Sequence, residues 1–137
     1  DYALIVHGED GSDEIAVQGD TRMWQVADNT IRRRVARPSD FGLPPGNSKH
    51  LSASSVERSR ELIVDVLAGK GGGHNAPASV ARSARTAVLI NAGAAIVVAG
   101  KAANFQEGAV QAKASLESGA AQAKLDELAS LSHKLAP

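Results

Sequence analysis

LIVHGEDGSDEIAV, the stretch from Leu4 to Val17, places an acidic turn that contains glycine between two apolar runs. The apolar residues Ala3 to Val6 are continuous, which is typical of a strand buried on both faces inside a parallel sheet. The run from Glu14 to Val17 is predicted to be a second strand. Asp-Gly favours a turn between them, because both residues tolerate positive φ. The chain is therefore predicted to start inside a sheet whose other strands lie upstream of this sequence.

Length and composition favour one domain with an aliphatic core, and strands early with helices late predict an α/β fold. The chain has 137 residues, of which 43% are hydrophobic and only 3% aromatic. Lys plus Arg equals Asp plus Glu at 15 each, so no net field attracts a polyanion, and we expect no nucleic-acid partner. The absence of cysteine excludes disulfides and thiolate metal sites and is compatible with the cytoplasm, where we expect the protein to act.

The sequence shows no targeting segment and no expected membrane span. The most apolar stretch, Ala87 to Gly100, has 14 residues. A membrane-spanning helix needs roughly 20 apolar residues, so this stretch is predicted to be a buried helix. Because it is rich in Ala and Gly, other elements are expected to approach its backbone closely.

Short alternating segments follow the acidic turn. Met23 to Val26 and Thr30 to Val35 flank an Asp28-Asn29 turn, which predicts a hairpin at a sheet edge. The arginines of the second segment suit an edge strand that must avoid unwanted pairing, with an RNA-binding patch as the alternative. Residues 37 to 52 hold three prolines and are predicted to be a connecting loop.

The rest of the chain has helical periodicity. Ser54 to Glu57 fits a capping box, followed by a helix that Gly69 would end. One helix, or two broken near Arg85, should follow Pro77, and Asn104 is predicted to cap the next helix. Three helical faces are predicted to be apolar: Val56, Ser59, Leu62, Ile63, Val66 and Leu67; Phe105, Ala109, Ala112 and Leu116; and Ala121, Leu125, Leu128 and Leu131.

A glycine run at residues 71 to 73 could be a flexible link or a phosphate-binding loop. Phosphate loops place their glycines between a strand and a helix, whereas here a helix precedes the run. The link is the favoured interpretation.

Three segments in order resemble the C-terminal part of the anthranilate phosphoribosyltransferase family, which belongs with the nucleoside phosphorylase-like phosphoribosyltransferases. They are HGEDGSDEI (His7 to Ile15), PSDFGL (Pro38 to Leu43) and the long segment from Val88 to Leu128. The resemblance implies an α/β fold with strands early (1 to 52) and an antiparallel helical layer late (53 to 137). It also implies that the N-terminal helical domain and the phosphate-binding loop precede this sequence.

The resemblance implies a function as well. The family transfers phosphoribose from phosphoribosyl diphosphate to anthranilate in tryptophan biosynthesis, and the acidic pair of its motif binds Mg²⁺. Carried over, that pair is Asp13 and Glu14. Mg²⁺ is a hard cation that one or two carboxylates hold together with substrate phosphates and water. Glu9 and Asp10 are then left as turn or supporting residues.

Three departures from the family pattern bear on the subfamily rather than on the fold. Ser12 stands where the family usually has Leu, which removes an apolar anchor under the turn. Lys49 to Ser59 lacks the family's Arg-Gly-Gly-Asp-type stretch, and the link from Gly71 to Arg85 is longer than usual.

No catalytic residue is predicted within these residues, and the substrate-binding residues are expected upstream. Alone, the chain is expected to be inactive, and the family's homodimer is expected to form through the N-terminal region. Alternatives are a non-catalytic assembly module and a related phosphoribosyltransferase or phosphorylase with another acceptor. Without the resemblance, Asp13 and Glu14 would be interpreted as a solvated hairpin tip. His7 is expected to be a hydrogen-bonding partner in a buried strand rather than a general base.

Overall fold

The computed structural model describes residues 2–68 and 77–136. In this part of the chain the fold is α/β, as predicted: a three-stranded antiparallel sheet comes first and four α-helices follow. The strands are β1 (Tyr2–Gly8), β2 (Thr21–Ala27) and β3 (Thr30–Ala36), and they pair in sequence order.

The predicted hairpin is confirmed as β2 and β3. Asp28 and Asn29 join the two strands with φ angles of 49° and 57°, and such a turn with two positive φ angles matches the twist of the strands. Arg32, Arg33 and Arg34 lie on β3, which is an edge of the described sheet.

The prediction that β1 is buried on both faces in a parallel sheet is wrong for the described residues. β1 pairs with β2 in the antiparallel sense, and its side chains alternate between half-buried and exposed. Leu4 and Val6 pack against the core, whereas Ile5 is 57% exposed and His7 is exposed. The reason is that the described helices cover only one face of the sheet.

The helices are α1 (Val56–Leu67), α2 (Ala78–Val98), α3 (Phe105–Glu117) and α4 (Ala120–Leu135). The predicted loop between the sheet and α1 contains two short 3₁₀ turns, Pro38–Phe41 and Ser48–His50. The expected helix end at Gly69 and the glycine run at 71 to 73 lie outside the described residues.

Two helix caps show how local sequence sets the boundaries. Asn104 caps α3 as predicted, because its side chain accepts a hydrogen bond from the backbone N–H of Glu107 at 2.9 Å. The α1 cap is one residue later than predicted: Ser55, not Ser54, accepts from the N–H of Arg58 at 3.1 Å.

Asn104 therefore supplies a testable contribution to stability. We expect Asn104→Ala to lower the free energy of unfolding by about 1 kcal/mol, the usual effect of losing an N-cap. Urea denaturation followed by circular dichroism measures it. Gln106→Ala, in the first turn of the same helix and exposed, is the matched control and should leave the unfolding free energy within about 0.5 kcal/mol. An equal loss in both variants would contradict a capping role.

The α2 helix forms the centre of the fold and is continuous, without the break considered near Arg85. Arg85 instead pairs with Glu117 of α3 at 2.9 Å. Ile90 is fully buried beneath the sheet. Among the described helices α2 is the one with the length and composition to cross a membrane, a weak indication because core helices share these properties.

Two clusters of buried side chains hold the layers together. The first joins the sheet, the 3₁₀ turn, α2 and α3 through Ile15, Met23, Ala36, Phe41, Ile90, Ala94, Phe105 and Ala109. The second joins α1, α2 and α3 through Val66, Ala84, Leu89, Ala112 and Leu116. The predicted apolar face of α3 is confirmed, since all four of its members are buried.

The other two predicted apolar faces are only partly covered. On α1, Val66 is buried but Val56 is 81% exposed. On α4, Leu125 is half-buried whereas Leu128 and Leu131 are exposed. Helical spacing therefore predicted the elements correctly, but among the described residues only part of each face has a neighbour.

Candidate functional site

Residues 9–20 connect β1 to β2 as an irregular loop, which we call the acidic loop. The predicted strand from Glu14 to Val17 is wrong. Ile15, Ala16 and Val17 are all buried, at 2 to 3% exposure, but they belong to none of the three described strands and pair with none of them. The backbone of the loop is nonetheless tied down: Gly8 N–H donates to Ser12 O at 2.9 Å, and Gly46 N–H donates to Val17 O at 2.8 Å.

Two side chains replace the missing strand neighbour. The Asn91 side chain on α2 accepts from the N–H of Ile15 at 3.0 Å and donates to the Ile15 carbonyl at 3.3 Å. The hydroxyl of Thr21, which is fully buried, accepts from the N–H of Ala16 at 2.9 Å. The end of the acidic loop is thereby fixed to α2 and to β2.

Two of the four carboxylates at residues 9 to 14 have partners near the loop. Glu9 pairs with Arg22 of β2 at 3.4 Å. One oxygen of Asp10 accepts both the N–H of Ser12 at 3.1 Å and its hydroxyl at 2.7 Å. Ser12 thus orders the turn through a polar contact.

At the far end of the loop, Asp20 is held by Arg37. The guanidinium donates to both carboxylate oxygens, with Nη2 to Oδ2 at 3.0 Å. These hydrogen bonds keep the pKa of Asp20 below its ordinary value. The contact connects the acidic loop to the residue before the first 3₁₀ turn.

Asp13 and Glu14, the predicted metal pair, differ from their neighbours. Both are exposed, and neither carboxylate makes a hydrogen bond or ion pair with another described residue. Both lie at bends rather than in a strand, so the opposite directions of adjacent strand side chains do not apply here. No group of three potential metal ligands occurs among residues 2–68 and 77–136.

A cleft of about 740 Å³ opens beside the acidic loop. Glu14 lines it, whereas Asp13 is not among its lining residues. The walls opposite the loop are apolar and come from α1 and α2, with Leu62, Ile63 and Val88 among them. The cleft combines an acidic rim with an apolar interior.

The sequence contained a signal for Asn91 that the prediction did not use. A polar amide inside an apolar helix requires hydrogen-bond partners when it is buried. Asn91 lies within the apolar stretch 87–100, so a contact with loop backbone was foreseeable in kind. Which loop it binds depends on residues 76 positions away and could not be read from the sequence.

A protein-family model matches most of the chain, including the acidic loop. The family model described as "Glycosyl transferase family, a/b domain" matches residues 1–122, and the chain belongs to that family.

Within the family, similar proteins include anthranilate phosphoribosyltransferases. The chain is 40% identical to the one from Anaeromyxobacter sp. (strain K) over 127 residues, covering 93% of this chain and 34% of that protein. It is also 40% identical to the one from Nitrosomonas eutropha, with 98% and 36% covered. The chain thus spans about a third of the length of these relatives.

Solved structures show the same fold. The Saccharomyces cerevisiae enzyme "in complex with PRPP and Mg" superposes with a TM-score of 0.73 and 26% identity, over 90% of this chain and 33% of that one. The Thermus thermophilus enzyme gives 0.73 and 27%, over 92% and 34%. The resemblance stated from the sequence is confirmed.

Proposed function

We propose that this chain forms the metal-binding part of an Mg²⁺-dependent phosphoribosyltransferase that uses anthranilate and phosphoribosyl diphosphate, in tryptophan biosynthesis. Asp13 and Glu14 hold the ion. The observation that carries the proposal is the family match over residues 1–122, which includes this pair.

Names of similar proteins support the substrates. The relatives in sequence are anthranilate phosphoribosyltransferases. One solved yeast structure is a complex with 4-fluoroanthranilate, and another is a complex with PRPP and Mg. No contact among the described residues favours an acceptor other than anthranilate.

The donor set of the acidic loop fits Mg²⁺. Two carboxylates without protein partners among the described residues, on an exposed and irregular turn, match an ion that retains several waters and is bound through one or two carboxylates plus substrate phosphates. They do not match a structural zinc site, which has four protein ligands and often cysteine. When bound, Mg²⁺ neutralises charge that develops on the departing diphosphate.

The chain's own residues then position the ion rather than perform proton chemistry. Glu14 lines the cleft, while Ser12 and Asp10 order the turn before the pair. The remaining parts of the site, including the phosphate-binding loop and the contacts to anthranilate, are assigned to residues outside this sequence. By itself the chain is therefore inactive in phosphoribosyl transfer.

The metal assignment predicts a shift in Mg²⁺ dependence. In the natural full-length protein, Asp13→Asn and Glu14→Gln should each raise the Mg²⁺ concentration for half-maximal transfer at least about tenfold. Losing a ligand should cost no less than losing an outer-shell partner, which costs about 10- to 100-fold. Initial rates across an Mg²⁺ titration measure the shift.

Glu9→Gln is the matched control, because it removes one negative charge from the same loop while its carboxylate is already paired with Arg22. It should change the Mg²⁺ requirement less than about twofold, since exposed ion pairs contribute little. Equal shifts in all three variants would indicate a general effect of loop charge. Unchanged Mg²⁺ dependence in Asp13→Asn and Glu14→Gln would refute the assignment.

A further inference from the structure

We propose that Asn91, on α2, is the residue that positions the metal pair by holding the backbone N–H and carbonyl of Ile15, the residue immediately after Glu14. The inference rests on the proposed function, because it concerns the same Mg²⁺ site. It assigns a role to a helix residue that is distant from the acidic motif in sequence.

The hydrogen bonds of Asn91 are those of a strand neighbour. Its amide oxygen accepts from Ile15 N–H at 3.0 Å, and its amide nitrogen donates to the Ile15 carbonyl at 3.3 Å. In an antiparallel ladder, the N–H and carbonyl of one residue on the neighbouring strand would supply the same donor and acceptor. One side chain thus substitutes for the missing strand at the position that follows the pair.

The same amide has little capacity left for a ligand. Its nitrogen also donates to the carbonyl of Ala87 on α2 at 3.1 Å, so both N–H groups are engaged. Although Asn91 lines the cleft, its side-chain amide is already hydrogen-bonded to the loop and to its own helix. This favours positioning the loop over direct contact with a substrate.

Both sides of this contact, α2 and Ile15, belong to the packed core. α2 is buried against the sheet, and Ile15 itself is 3% exposed within the cluster that contains Ile90. Glu14 is covalently joined to Ile15, so fixing this peptide restricts where the Glu14 carboxylate can lie. The carboxylates at 13 and 14 have no described partners that could hold them instead.

Metal affinity depends on such supporting contacts. Removing a residue that orients a ligand typically weakens metal binding or activity about 10- to 100-fold. Without Asn91, the part-buried N–H and carbonyl of Ile15 must find new partners in water or in a rearranged loop, and in both cases α2 no longer holds the backbone beside Glu14.

The test uses the natural full-length protein and two substitutions. Asn91→Ala removes all three hydrogen bonds. Asn91→Ser can still donate to the carbonyl of Ala87, as serine in a helix bonds four residues back, but it is too short to span to Ile15. This second variant keeps the test informative if alanine prevents folding.

Both variants should raise the Mg²⁺ concentration for half-maximal transfer about tenfold or more. The rate at saturating Mg²⁺ should fall by a much smaller factor than the factor by which the half-maximal Mg²⁺ concentration rises. Binding of Mn²⁺, followed by electron paramagnetic resonance, should weaken in parallel. The N–H of Ile15 should lose protection from hydrogen exchange.

Asn104→Ala is the control, because it removes an asparagine cap at α3, away from the acidic loop, and destabilises without touching the pair. Its Mg²⁺ dependence should equal that of the natural protein. An unchanged Mg²⁺ constant in Asn91→Ser, with Asp13→Asn shifted, would overturn the role of Asn91 alone. If Asp13→Asn is also unshifted, the metal assignment itself fails and the inference fails with it.

Discussion

Replacing Gly108 with alanine is expected to lower the free energy of unfolding by about 3 kcal/mol, the upper end of the usual range for overpacking. A Cβ at this position would lie 2.3 Å from the carbonyl oxygen of Gly93 and 3.0 Å from its carbonyl carbon. Both are backbone atoms of α2, so no side-chain rotation relieves the contact. The helices α2 and α3 would have to separate.

The sign of this effect distinguishes packing from helix propensity. Gly108 lies inside α3, and in an exposed helix a glycine-to-alanine change gains about 1 kcal/mol. A net loss of stability therefore requires the cost of the steric overlap with Gly93 to exceed that gain. Chemical denaturation of both proteins under the same conditions gives the difference.

Val110→Ala is the matched control for Gly108→Ala. Val110 is on the same helix but 62% exposed, and it should change the unfolding free energy by no more than about 0.5 kcal/mol. If Gly108→Ala stabilises the protein, the two helices do not approach at these glycines, and the packing described between them is wrong.

Close approach to the second half of α2 was foreseeable from its Ala and Gly content, and Gly93 with Gly108 confirms it. The identity of the partner was not foreseeable. Composition shows that a helix permits close contact, whereas the partner helix is chosen by tertiary packing. Periodicity and caps similarly predicted α1 and α3, because these signals act within a few residues of each other.

The stretch Glu14 to Val17 shows where sequence reasoning failed. An apolar run after a turn suggests a strand, but here Asn91 and Thr21 supply the backbone hydrogen bonds that a ladder would have supplied. Local propensity contains no information about such long-range replacements. The failure coincides with the candidate site, as expected where an irregular backbone serves function.

The pair Asp13 and Glu14 was predicted from the resemblance, and it remains a prediction. The described geometry adds a physical difference to the distinction that the resemblance implied: Glu9 and Asp10 have partners near the loop, whereas Asp13 and Glu14 have none among the described residues. Four similar carboxylates in a short motif cannot be sorted by spacing alone. Their sorting depends on Arg22 and Ser12 and on how the turn folds.

Phe41→Ala is expected to have the largest effect on stability, about 3 to 5 kcal/mol, the range for emptying a buried aromatic site. Phe41 is 1% exposed and stacks on Phe105 with ring centres 4.8 Å apart and an interplanar angle of 14°. Its cluster also contains Ile15, which anchors the acidic loop. The cavity would therefore open between the sheet, α2 and α3.

Ser39→Ala, in the same 3₁₀ turn but exposed, should leave the unfolding free energy within about 0.5 kcal/mol. A double-mutant cycle with Phe105→Leu isolates the stacked pair, whose coupling should be about 0.5 to 1.5 kcal/mol. The coupling should be favourable, because either substitution abolishes the ring contact.

If Phe41→Ala lowered the free energy of unfolding by less than about 1 kcal/mol, that result would be inconsistent with a ring enclosed in the core. Because Ile15 belongs to the same cluster as Phe41, the folded Phe41→Ala variant should also need a higher Mg²⁺ concentration for half-maximal transfer. That result would connect core packing to the loop that Asn91 holds.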